Sequence, residues 1–141
     1  MSLDLKSLEE SFDLVAPRGD ELMDEFYARL FATAPSVRVL FPRDMTTQKK
    51  MLLSALVLLR KSLRNLDEIV PALRTLGARH VAYGAKPEHY PVVGSVLLDS
   101  MAAIAGEAWT PAYQRAWAAA FDVVAGTMLA GAREAELAAA A

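Results

Sequence analysis

Apolar side chains return along this chain at every third or fourth position, with polar ones filling the intervals. Leu8, Phe12 and Val15 form one such set, and Leu22, Phe26 and Leu30 a second. Each set lies on one face of an α-helix, whereas a strand would alternate between two faces. Pro17 and Gly19 separate the first two helices, and Pro35 marks the next break, ahead of the short segment SVRVLF and the loop FPRDMTT. The spacing predicts a further helix through QKKMLLSALVLLRKSLR, capped by Thr46 or Thr47, with Leu52, Leu56, Leu59 and Leu63 on one stripe and an end near Asn65. DEIVPALRTLGARH is another helical stretch, carrying Leu73, Leu76 and His80 at helical intervals. Pro87 and the pair Thr110-Pro111 open two long helices, because proline suits the first helical turn. The Ala-rich tail from Glu134 to Ala141 is expected to fray. Six or seven helices, with no strand, repeat or low-complexity linker, predict an all-α domain.

Composition narrows the class. A chain of 141 residues suits one domain, which buries roughly two thirds of its unfolded surface. Fifteen basic and 17 acidic residues give a formal net charge of -2. They form no long run of one sign, so there is no footprint for nucleic acid or an anionic membrane. Zero cysteines exclude disulfides and thiolate metal sites. The start MSLDLKSLEESF has acidic residues where a signal peptide is basic, and no apolar run approaches the ~18 residues of a membrane span. A cytoplasmic protein without a membrane span is expected.

The candidate chemistry rests on two histidines, His80 and His89, nine residues apart and so off any common helical face. Structural zinc takes about four protein ligands and catalytic zinc about three, which this pair cannot supply. A single histidine does suffice as the axial ligand of haem, because the porphyrin brings four nitrogens of its own. A histidine on an apolar stripe can equally be a core residue bonded to a carbonyl, and the intervals around His80 leave both open.

The segments FYARLF at 26–31, APSVRVLF at 34–41, Gln48, NLDEIVPALRTLGARH at 65–80, KPEHYPVVGSVLL at 86–98 and AWAAAF at 116–121 together resemble the globin domain of bacterial flavohaemoglobins and their single-domain, Vitreoscilla-type relatives. The resemblance spans nearly the whole chain. It implies a globin fold, three helices over three around haem b, with residues 1–141 as a single globin domain and no reductase domain. His80 then matches the proximal iron ligand, and Phe41 the phenylalanine packed on the porphyrin. Tyr27 matches the distal tyrosine that donates a hydrogen bond to dioxygen, and Gln48 the distal glutamine. Leu52, four residues on from Gln48, shares its helix face and roofs the pocket. Phe41, Leu52, Leu56 and Val93 form apolar walls. His89 becomes a partly exposed residue near the haem edge rather than a ligand.

Tyr90 matches the family's proximal-side tyrosine, which positions a glutamate that bonds the proximal histidine. Here the sequence departs from the pattern. With Trp117 as anchor, Ala132 stands in the glutamate's place; Glu134 lies about 200° round the helix, and Glu136 about 6 Å further along the same face. Flavohaemoglobins also continue into flavin- and NAD-binding domains, where this chain stops, so turnover would draw electrons from a separate flavin or NAD(P)H reductase. The expected function is reversible binding of dioxygen, for storage or delivery. Nitric oxide dioxygenation with a separate reductase is the alternative, and carbon monoxide and nitric oxide are further ligands of the same site.

Overall fold

A computed structural model describes residues 3–140. Helix α1 (Leu5–Val15) is capped by Asp4, whose carboxylate accepts the Ser7 amide at 3.1 Å and the Ser7 hydroxyl at 2.6 Å. One 3₁₀ turn containing Pro17 leads into α2 (Gly19–Thr33). Leu8, Phe12 and Val15, and Leu22, Phe26 and Leu30, are all buried, as their spacing requires. A 3₁₀ turn at Pro35–Leu40 ends at Phe41, whose backbone is extended.

Helix α3 (Thr46–Ser62) is capped by neither expected threonine. The Asp44 carboxylate takes the Thr46 amide at 2.9 Å, a charged acceptor at the positive end of the helix dipole. The stretch expected to run as one helix up to His80 is divided. Residues Leu63–Ile69 form a 3₁₀ segment kinked at Asn65, and α4 (Val70–Ala82) begins where Pro71 occupies the first turn. Pro87 lies in the turn before α5 (His89–Ala105), its carbonyl accepting the Tyr90 amide. Pro111 opens α6 (Pro111–Ala140), with Thr110 Oγ1 accepting the Tyr113 amide. The tail expected to fray stays helical through Ala140, alanine having the highest helix propensity.

Helix α2 packs on α3 and α5, and α6 packs on α1, α4 and α5. The main core gathers Leu8, Phe12, Leu22, Phe26, Met101 and Trp117. Its buried polar atoms are paired: Trp117 Nε1 donates to Ser11 Oγ at 2.7 Å, and Ser11 donates onward to the Ser7 carbonyl. A second, smaller cluster joins Tyr90, Ala125 and Met128 to Leu73, Leu76 and Phe121. There α4 and α6 cross backbone to backbone. A Cβ on Gly77 would land on the Met128 carbonyl, and one on Gly131 on the Arg74 carbonyl. Two glycines, one from each helix, therefore set the crossing distance.

One helix stands out for its apolar average. Residues 89–108 form a 20-residue helical stretch containing an 18-residue window of mean hydropathy 1.3, long and apolar enough to cross a membrane by length and composition alone. Ser95, Asp99 and Ser100 interrupt the apolar run, which hides its average from a search for unbroken stretches. In this fold Val96, Leu97, Leu98 and Met101 of that stretch are buried in the main core.

Candidate functional site

The end of α4 is held by its backbone. The Ala85 amide donates to the His80 carbonyl at 2.9 Å and the Gly84 amide to the Val81 carbonyl at 3.1 Å. Gly84 has φ +92°, the left-handed conformation that glycine adopts without penalty in this type of cap. His80 thus sits on a fixed last turn. Its Nδ1 lies 2.7 Å from the Leu76 carbonyl, which can only accept, so Nδ1 carries the proton and Nε2 keeps a free lone pair. The ring is half-buried, with Tyr83 and Tyr90 at centroid distances of 5.5 and 6.4 Å.

His89 is the opposite case. Its Nδ1 accepts the Lys86 amide at 3.0 Å, which spends that lone pair on the turn leading into α5 and leaves the proton on Nε2. The side chain is half-buried. The two histidines are held in different tautomers by their backbone partners.

Tyr27 comes from α2 and Gln48 from the first turn of α3, and the Gln48 Nε2 donates to the Tyr27 hydroxyl oxygen at 3.1 Å. With its oxygen accepting from Gln48, the phenol's own O–H remains free to donate elsewhere. Burial pushes the Tyr27 phenol above the ordinary tyrosine range, the Gln48 amide pulling weakly the other way, so the proton stays in place at neutral pH. Apolar and aromatic groups surround the pair. Tyr27 meets Phe41 edge-on at 5.7 Å and Phe26 edge-on at 4.9 Å, and Phe31 lies 5.8 Å away. Leu52, Val93 and Phe41 are half-buried against the main core, and Leu56 is buried within it.

Tyr90 is buried beside Ala125 and Met128, and desolvation alone raises its pKa. No carboxylate joins it from α6. Ala132 is buried, while Glu134 turns outward to Arg74 at 3.1 Å with its side chain 61% exposed, and Glu136 is exposed.

Sequence reasoning passed over Arg38. It sits in the 3₁₀ turn before Phe41, and its guanidinium donates to the carbonyls of Phe41 (3.3 Å), Pro42 (2.9 Å) and Arg43 (3.1 Å). Its carbon centre lies 4.9 Å from the Phe31 ring centroid. A basic residue in the last turn of a helical segment, near unsatisfied carbonyls, was the only available signal.

A family model for globins matches residues 24–128. The chain is a member of the globin family. Among its relatives, the flavohemoprotein of Bacillus subtilis (strain 168) is 31% identical over 129 residues, which cover 87% of this chain and 32% of that protein. The chain thus spans about a third of the length of the flavohemoproteins it matches. A globin-like protein of Aquifex aeolicus (strain VF5) is 28% identical, with 89% of this chain and 88% of that one covered. Among solved structures, a bacterial globin from Campylobacter jejuni superposes with a TM-score of 0.80 at 25% identity, covering 92% of this chain and 94% of that one. An engineered carbene transferase, made from a Rhodothermus marinus protein provisionally described as a nitric oxide dioxygenase, has the same fold, with TM-score 0.84 at 22% identity over the full length of both chains.

Globin membership implies a haem cofactor, and the residues present fit one. Among the described residues no group of three or more His, Cys, Asp or Glu is placed to hold a metal ion, and a single histidine suffices for a porphyrin iron, because the ring supplies four nitrogens of its own. The free Nε2 of His80 is the kind of donor that such an iron would take. The apolar stripe of α4 at Leu73 and Leu76, and that of α3 at Leu52 and Leu59, are left only half-buried by the protein itself. They offer the apolar surface that a large flat ring needs.

Proposed function

We propose that this globin holds haem b through His80 and reversibly binds dioxygen beside Tyr27 and Gln48, with Phe41, Leu52, Leu56, Tyr90 and Val93 lining the site. Haem supplies the iron at which a diatomic gas binds. The protein supplies the rest: a neutral imidazole with a free Nε2 on one side, and a phenol proton in apolar surroundings on the other. The observation that carries this reading is the Gln48–Tyr27 hydrogen bond. Because Gln48 satisfies the phenol oxygen, the O–H is preorganised to donate toward a ligand that acquires partial negative charge, and dioxygen does so far more than carbon monoxide.

Tyr27→Phe removes the hydroxyl and little volume. It should speed dioxygen dissociation by about tenfold, equivalent to about 1.4 kcal/mol, and alter carbon monoxide release much less. Stopped-flow displacement measures both, and equal effects on the two gases would point to a steric gate and defeat the reading.

Nitric oxide dioxygenation, with electrons from a separate flavin and NAD(P)H reductase, is the second reading, and the flavohemoprotein relatives favour it. Against it stands the proximal side. His80 bonds a neutral carbonyl rather than a carboxylate, so it would push little extra electron density toward a bound iron. Sustained nitric oxide consumption with a reductase and NAD(P)H present would move this reading ahead of the carrier.

A further inference from the structure

We propose that Arg38 is a positioning residue that sets where the Tyr27 hydroxyl points. This rests on the reading of Tyr27 as the dioxygen donor. Three consecutive carbonyls, those of Phe41, Pro42 and Arg43, accept from one guanidinium. This segment has no helix of its own, lying between the 3₁₀ turn that ends at Leu40 and the start of α3 at Thr46. A planar fork whose fixed N–H donors are spread over two terminal nitrogens suits three acceptors strung along the chain; the three donors of a lysine ammonium sit on one freely rotating nitrogen. The same guanidinium backs the Phe31 ring.

Phe31 and Phe41 meet edge-on at 5.4 Å, and both contact Tyr27, at 5.8 and 5.7 Å. Arg38 therefore holds two walls of the tyrosine's aromatic cage, one through backbone and one through its ring face. All its hydrogen bonds reach five residues or fewer along the chain, so it acts as a local tether rather than a support of the whole fold. The cage fixes the phenol's tilt, while Gln48 fixes which way its proton turns.

The test is a double-mutant cycle on the haem-loaded protein with Arg38→Gln, Arg38→Lys and Tyr27→Phe. Arg38→Gln should speed dioxygen release by about threefold to tenfold when Tyr27 is present and leave release nearly unchanged in the Tyr27→Phe background. Amides of residues 41 and 43–45 should exchange hydrogen faster, and the C–O stretch of the carbonyl complex should broaden as the distal polarity becomes heterogeneous. The unfolding midpoint should hardly move. Arg38→Lys should fall between, keeping the charge over Phe31 but not the three-carbonyl grip. Equal acceleration in both backgrounds, or unchanged exchange at those amides, would overturn the assignment. A wild-type release rate in Tyr27→Phe alone would overturn the donor reading beneath it, a failure recognised without any Arg38 variant.

Discussion

Two histidines with opposite backbone partners show how a single hydrogen bond decides a side chain's chemistry. His80 donates from Nδ1 and keeps Nε2 for a ligand, whereas His89 spends its Nδ1 lone pair on the Lys86 amide. His80→Ala should therefore abolish stable haem incorporation, with partial recovery in added imidazole. His89→Ala should leave the ferrous absorption spectrum nearly intact and lower stability by about 0.5–1.5 kcal/mol, the usual worth of one hydrogen bond. A normal five-coordinate histidine spectrum in the His80 variant would remove it from the iron. At Gly84 the left-handed backbone of the α4 cap explains why glycine directly follows Tyr83 at the end of the helix.

Among the elements, the α4–α6 crossing governs where His80 stands. Gly77 and Gly131 each face a backbone carbonyl of the other helix, and a carbonyl in a helix cannot swing aside as a side chain would. Gly131→Ala should part the helices at a cost of about 1–3 kcal/mol, read as a lower urea midpoint and accompanied by a shifted Soret band as His80 moves with α4. The same pair of helices bears on carrier against enzyme. With Ala132 buried and Glu134 drawn off to Arg74, the iron–histidine stretch of the ferrous protein should lie with oxygen-carrying globins. Ala132→Glu should raise that stretch and any peroxidase-like activity, provided the buried carboxylate finds Tyr90 and His80 to offset its desolvation. A wild-type stretch already in the peroxidase range would mean that another group supplies the push.

Across the whole molecule, α1 is tied to the end of α3 and the segment after it by four charged groups. Arg60 grips both Asp13 oxygens at 3.1 and 3.0 Å and reaches Glu9 at 3.4 Å, and Arg64 grips Glu9 at 3.1 and 2.8 Å. The Arg60 hydrogen bonds hold the Asp13 carboxyl below its ordinary value. A carboxyl whose folded pKa lies below its unfolded one contributes stability above the unfolded value, and that contribution fades as pH falls through the folded one. Acidification below the ordinary carboxylate range should thus weaken the fold, and Asp13→Asn should flatten that part of the stability–pH curve. The effect at neutral pH should be small, about 0.2–1 kcal/mol per exposed pair, and should shrink in high salt; denaturant titrations across pH and ionic strength measure it.

The intervals of apolar residues by themselves determined the helical class and the buried faces of α1 and α2, because a period near 3.6 is a local property that needs no partner. The joint spacing of FYARLF, Gln48, His80 and Tyr90 likewise carried the resemblance to globins. The break near Asn65 was legible in the sequence, but local sequence could not start α4 at Val70 and Pro71 within the stretch before His80, nor choose Asp44 over two threonines as a cap, since each depends on how the neighbouring turn closes. It could not show that Glu134 belongs to Arg74, or that Gly77 and Gly131 answer one another 54 positions apart. Those facts are distances between groups that only the packed chain brings together. Hydrogen bonds act over a few ångströms, so the Gln48–Tyr27 contact, 21 positions apart, was settled by tertiary structure, whereas the His80–Leu76 bond that fixes the His80 tautomer closes within one helical turn.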